Sequence, residues 1–461
     1  MPKKLFVIIP DGVSLRNFVY TSFPDEVKKA GWDLVYWNAT ELNLKKLGHQ
    51  EIKLYSNARS WTDLLKRAKI ILELNSFKER FKNPVYDKYK FAAGGKGVKS
   101  KLKNTIVAGF IRTFQGEKGL ERVRRKMEES ERKSDSYEGC KTLLQKEKPD
   151  LVFCASQRPV NAIAPILAAK DIGIPTACFI FSWDNLPKAT KVIETDYYLV
   201  WSDYMKNELQ EYYPHISKNQ IKVTGTPQFE IHFNEQAVID RDSFYKTYNL
   251  NIDRKYLCFS GDDITTSPHD EHFLRDVALV VKNLNSKGEN IGILFRPCPV
   301  DFSGRYQEIL EEFSNLIVPI LPKWTSEGNT WNQAMPKQED MILQTNIVAH
   351  SFMVINVASS MVFDFATKGK PCAYLNYILP IENLKKDICE IYSYVHFESM
   401  PDKNAVFWID DKKEIQPIIL KALHKENQGV LEQTNKWFAR INKPPASKAS
   451  NRIVEELLKL N

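Results

Sequence analysis

Two adjacent hydroxyls that follow a run of buried-strand composition are the residues of this chain best placed to do chemistry. Residues 352–375 read Phe-Met-Val-Ile-Asn-Val-Ala-Ser-Ser-Met-Val-Phe-Asp-Phe-Ala-Thr-Lys-Gly-Lys-Pro-Cys-Ala-Tyr-Leu. Phe352–Val357 is apolar and β-branched, as a strand covered on both faces must be. Ser359 and Ser360 then stand where an N-cap belongs, and Met361, Phe365 and Ala366 keep helical spacing to Lys368. Gly369 and Pro371 end the helix, and Cys372–Leu375 reads as the next buried strand. A helix start directly after a strand has unpaired N–H groups and carries roughly half a positive charge. It is therefore an anion site, where a phosphate gains roughly 1.5–3 kcal/mol per charge-assisted bond. Asp364, one turn further on, is within reach of a ribose diol attached to that phosphate. The same residues also read as a plain capping serine and a solvated helix carboxylate.

Such a helix needs an open parallel sheet to hold it, and the chain supplies two. In the first half, strands are expected at Lys4–Pro10, Asp33–Trp37, Asp150–Ala155, Ile174–Phe181, Tyr197–Trp201 and Lys222–Thr224, with helices between them. Between about residues 60 and 148 the pattern is helical and basic, without a convincing strand. In the second half, strands are expected at Tyr256–Ser260, Ile291–Phe295, Leu316–Ile320, Phe352–Val357 and Cys372–Leu375. Helices fall at 270–283, 305–313, 339–349 and 360–368. The reading is α/β, with two Rossmann-like parallel-sheet domains facing a cleft. They cover 1–235 and 236–442, and a last helix over 443–461 crosses back to the first domain.

Composition sets the limits. The 461 residues are 43% hydrophobic and 26% charged, ordinary for a globular protein. No apolar run is long enough to span a bilayer, and the five apolar residues after Lys4 are too few for a signal peptide. The seven scattered cysteines have no metal-ligand spacing and suit a reducing, cytoplasmic setting. The net charge of +8 is regional: residues 61–135 hold 20 Lys/Arg against 10 Asp/Glu. That points to peripheral contact with an anionic membrane at its inner face. Without interleaved aromatics it does not point to nucleic acid. Gly94-Gly95-Lys96-Gly97 has Val98 where a phosphate loop needs glycine, and reads as a basic loop. His269-Asp270-Glu271-His272 matches no zinc spacing and reads as an acidic helix start.

The motifs taken together resemble GT-B glycosyltransferases, including the CDP-glycerol glycerophosphotransferase-like and surface-polysaccharide members. Thr224-Gly225-Thr226-Pro227-Gln228-Phe229 is similar to their inter-domain Gly-x-Pro-x-Phe-Asp signature, and Ser359 to Pro371 to their donor-nucleotide helix. Arg296-Pro297-Cys298-Pro299 resembles their Arg-x-His-Pro strand end, with Cys298 in place of histidine. Ala449-Ser450-Asn451-Arg452-Ile453 resembles their C-terminal helix.

The resemblance implies a metal-independent enzyme that uses a nucleotide-sugar as co-substrate, with no other cofactor. The sugar would pass to a cell-surface glycan or lipid-linked acceptor. The donor would be met by Gly225, Thr226, Gly261, Asp262, Arg296, Ser359, Ser360 and Asp364. Met335, in the segment Trp331–Asp340, would read the base through backbone groups. On the acceptor side, Gly12, Arg158, Trp183 and Asn185 stand at strand ends of the first domain, with Asp184 or Asp11 as general base. The family's usual histidine near the first strand is missing. Three alternatives stay open: a CDP-polyol phosphotransferase, a UDP-sugar epimerase on the same scaffold, and a non-catalytic nucleotide- or glycan-binding scaffold.

Overall fold

The computed structural model describes residues 2–90, 97–326, 334–381 and 387–460. The chain forms two units: Met1–Pro227 joined by Ile441–Asn461, and Gln228–Arg440. Each is built on an open, wholly parallel sheet.

The first unit has seven strands: β1 (Lys4–Ile9), β2 (Asp33–Asn38), β3 (Gln50–Lys53), β4 (Leu151–Cys154), β5 (Thr176–Phe179), β6 (Tyr197–Val200) and β7 (Ile221–Val223). Their order is β3-β2-β1-β4-β5-β6-β7. The central strands are apolar throughout because helices cover both faces: Phe6, Val7, Val152, Phe153, Cys178 and Phe179 have no exposed surface. Each such side chain stabilises the fold by roughly 1.5–3 kcal/mol.

The second unit repeats the plan with β8 (Lys255–Ser260), β9 (Ile291–Arg296), β10 (Ile317–Pro319), β13 (Ser351–Asn356), β14 (Cys372–Leu375) and β15 (Phe407–Ile409), ordered β10-β9-β8-β13-β14-β15. Between β10 and β13 the chain adds an antiparallel pair, β11 (Trp324–Ser326) and β12 (Ala334–Pro336). Gly292 of β9 lies beside Tyr256 of β8, and a Cβ there would come within 2.3 Å of the Tyr256 ring. Glycine is needed where a ring crosses the neighbouring strand this closely.

The expected buried strands all form, within two or three residues of their expected ends. β3, β15 and the β11–β12 pair were not foreseen. β3 is Gln-Glu-Ile-Lys at a sheet edge, and the other three are three residues long, so none carries a readable alternation.

The basic insertion is helical. Ser60–Phe81, Val98–Thr113, Gly116–Glu131 and Asp135–Glu147 are its helices. Val98–Thr113 carries Lys99, Lys101, Lys103 and Arg112 and no acidic residue. Gly94, Gly95 and Lys96 lie outside the described residues, and Gly97 is the N-cap of that helix. Among the described residues no helix is long and apolar enough to cross a membrane. The last helix, Ala449–Leu458, belongs to the first unit, where Asn451 Nδ2 donates to Glu26 Oε2 at 3.3 Å.

Candidate functional site

In both sheets the strand order reverses beside the first strand, between β1 and β4 in one unit and between β8 and β13 in the other. Ligands of open parallel sheets bind outside the carboxyl ends of strands at such a reversal. Residues singled out from the sequence stand at each reversal: Asp11 and Gly12 after β1 in the first unit, and Gly261 and Asp262 after β8 with Ser359 and Ser360 after β13 in the second.

The turn after β13 is tightly specified. Ala358 has φ 55°, the left-handed region that an alanine adopts only under strain. Asn356 Oδ1 accepts from Ser359 N at 2.9 Å, and Tyr374 OH donates to the Ser359 carbonyl at 3.0 Å. Ser359 is half-buried and Ser360 is exposed, so the start of the helix Met361–Ala366 is open to solvent.

Asp364 is buried in a network the sequence did not reveal. His232 Nε2 lies 2.8 Å from Asp364 Oδ1, and Gln344 Nε2 donates to the same oxygen at 2.9 Å. His232 is 2% exposed, and its Nδ1 has no hydrogen-bond partner among the described residues. A carboxylate held by an imidazole and an amide is fixed in direction, which suits it to receive a diol.

Beside it, the turn after β8 concentrates carboxylates. Asp262 N and Tyr306 OH both donate to Asp270 Oδ2, at 3.1 and 2.8 Å. Arg305 donates to the Asp262 carbonyl at 2.6 Å and pairs with Asp301 at 2.9 Å. Burial pushes Asp270 up from its ordinary 3.8 to about 6. Burial, with Asp270 and Asp263 adjacent, pushes Asp262 well above the usual carboxylate range. Raised carboxyls at a strand end are a common mark of a ligand site. On the same edge, beyond β14 and β15, a cavity of about 810 Å³ is lined by His272, Asp276, Tyr377, Leu379, Asp410 and Lys412, among others.

The raised Asp270 has a measurable consequence. Because its folded pKa lies above its unfolded value, the folded chain takes up a proton, and stability falls as pH rises from about 4 to 6. The cost is absent below the unfolded value and complete above about 6, where it reaches about 3 kcal/mol. Asp270→Asn keeps an acceptor for Tyr306 and Asp262 N. Urea unfolding should find the variant more stable at pH 7 by about 1–3 kcal/mol and indistinguishable at pH 4. A variant destabilised at both pH values would contradict the assignment.

Other expected site residues have partners within the fold. Arg296 is 5% exposed, and its Nη2 donates to Asp340 Oδ2 at 2.8 Å, which ties it to the β11–β12 pair, while its Nη1 is buried without a hydrogen-bond partner among the described residues. Gly225 and Thr226 are buried under the last helix, with Thr226 N donating to Asn442 Oδ1 at 2.9 Å. Asp11 is a helix N-cap: Ser14 N and Oγ donate to its Oδ1 at 2.9 and 2.7 Å. Asp184 pairs with Lys188 and accepts from Ser182 Oγ at 2.5 Å. Both acids are thus engaged in local structure, which weakens each as a general base.

Asn185 and Trp183 are buried, and Gln157 ties their loop together, bonding Asn185 Oδ1 at 2.9 Å and Phe181 N at 3.0 Å. Arg158 stacks on Phe181, 5.4 Å from its ring centre. Gly261 packs beneath Phe295 and Tyr306, Gly12 opens the first helix, and Met335 sits in β12. Trp331 lies outside the described residues.

Among the described residues His269, Glu271 and His272 bring ligand atoms within 4.8 Å of one another. The Arg305 guanidinium lies 3.5 Å from Glu271 and competes with a cation there.

No family model matches this chain, and no curated protein matches it. Solved structures do. A UDP-GlcNAc 2-epimerase from Neisseria meningitidis, bound to UDP-GlcNAc, is 12% identical with TM-score 0.55, over 99% of this chain and 100% of that one. A glycosyltransferase from Rickettsia africae is 12% identical with TM-score 0.52, over 99% of each chain. The UDP-GlcNAc 2-epimerase from Methanocaldococcus jannaschii is 15% identical with TM-score 0.50, over the whole of both. The chain has a GT-B-like two-domain fold. At these identities the likeness is one of fold.

Proposed function

We propose that this protein is a nucleotide-sugar enzyme whose second unit binds a uridine-diphosphate sugar at the carboxyl ends of β8 and β13. The observation that carries the reading is the meeting, at the sheet's reversal, of an exposed helix start at Ser360 with a buried, oriented Asp364. The diphosphate would rest on the turn at Ser359–Ser360, where two hydroxyls and the positive end of the short helix offset its charge. Asp364 Oδ2 would accept from the ribose diol while His232 and Gln344 hold Oδ1. Uracil is the proposed base because two structures of this fold are named as UDP-GlcNAc 2-epimerases, one of them bound to UDP-GlcNAc.

Epimerisation at the sugar's second carbon is the reaction these relatives favour. It requires a proton to leave and return at that carbon. The raised carboxyl of Asp262, at the end of β8, is the candidate for that proton transfer. Transfer of the sugar to a glycan or lipid-linked acceptor is the second reading, supported by the glycosyltransferase of the same fold and by the acid-free basic helix of the first unit.

Thermal protection by UDP, CDP and GDP tests the site. UDP should protect most, and Ser360→Ala with Asp364→Ala should weaken protection roughly tenfold to a hundredfold. Unchanged protection would remove both residues from the site. Deuterium uptake into UDP-GlcNAc in heavy water marks epimerisation, whereas UDP release only on addition of membrane extract marks transfer.

A further inference from the structure

We propose that the outward face of the helix Val98–Thr113 docks on the surface of an anionic lipid bilayer. The helix already has a buried side: Val107 packs with Leu64 and Ala68, flanked by Ile106, Phe110 and Ile111, and Arg67 donates to Asn104 Oδ1 at 2.8 Å. The opposite side is not needed for that packing, yet it carries apolar residues one turn apart. Val98 is 84% exposed and Leu102 62%. Lys99, Lys101, Lys103 and Arg112 are also exposed, and the helix contains no acid to offset them. Aliphatic side chains set among cations, on a helix of about 24 Å, form the pattern of an interfacial helix.

Charge complementarity selects the occupant. The neighbouring helix Gly116–Glu131 holds five Lys/Arg but also five Glu, with Arg125 pairing with Glu129 at 3.5 Å. Val98–Thr113 has no such acids of its own. A second copy of this face would bring like charges together. A nucleic acid would want rings to stack on, but the helix holds a single one, Phe110, half-buried against Trp61 with centroids 5.0 Å apart. A bilayer of anionic headgroups meets both the lysines and the aliphatic pair. The inference does not depend on what the second unit binds.

Flotation of the full chain with vesicles tests it. Phosphatidylcholine alone should not carry the protein, and an equimolar mixture with phosphatidylglycerol should, with binding lost at high salt. Lys99→Gln with Lys101→Gln and Lys103→Gln should weaken partitioning on the order of a hundredfold. Leu102→Ser should weaken it about tenfold. Failure of the unaltered chain to float with anionic vesicles would overturn the proposal. So would a triple variant that floats as well as the unaltered chain, or a single-stranded oligonucleotide that displaces the vesicles.

Discussion

Arg296→Met should lower the unfolding free energy of the second unit by about 3–5 kcal/mol, the loss that follows when one partner of a buried ion pair is removed. Arg296 and Asp340 are both about 6% exposed at their side chains and meet at 2.8 Å. Asp340 also accepts from Lys323 N and Trp324 Nε1, each at 2.7 Å, so one carboxylate fixes β11 and the guanidinium together. Without Arg296 those two neutral donors alone must stabilise a charge removed from water. Adding Asp340→Asn to the variant removes the stranded charge and keeps an acceptor for Trp324, so the double variant should be the more stable of the two. Urea unfolding measures both. A loss below about 1 kcal/mol for Arg296→Met would be that of an exposed pair and would refute the anchoring role.

Gly225→Ala should cost the first unit about 2–5 kcal/mol, the sum of a left-handed alanine and an overpacked contact. Gly225 has φ +84°, and a Cβ would lie 2.7 Å from Arg452 Nη2 and 3.1 Å from Asn442 Oδ1. An arginine tip can ordinarily swing aside. This one cannot do so without losing bonds to the carbonyls of Thr224, Lys443 and Pro445, at 2.7, 2.9 and 3.0 Å. Hydrogen exchange should show the helix Ala449–Leu458 losing protection first. In an Arg452→Ala background the same glycine change should cost less, the backbone part of about 1–2 kcal/mol plus whatever the 3.1 Å approach to Asn442 Oδ1 adds. An equal penalty in both backgrounds would mean that the clash is not with Arg452.

These two residues also mark what the sequence conveyed and what it did not. Strands such as Phe352–Val357 were legible because a run covered on both faces has no alternation to misread. The helix start at Ser360 was legible because a serine pair after a buried strand is a local signal, although the side chain that accepts from Met361 N, at 3.3 Å, is that of Ser359. The role of Arg296 was not, because an arginine at a strand end looks the same whether it faces a phosphate or an aspartate 44 residues away. The same holds for Gly225, read as part of a ligand motif and found beneath a helix more than 200 residues downstream. Asp364 was picked out for its position, but the imidazole that orients it comes from 132 residues earlier. Long-range pairing of this kind leaves no periodicity to read.

The nested order of the two units has a consequence for synthesis. Everything in Gln228–Arg440 leaves the ribosome before the residues after Ile441 that finish the first unit. The second unit can therefore be complete on the nascent chain while the first still lacks the helix that covers Gly225 and Thr226. Until then that patch is bare, and the first unit to emerge is the last to close.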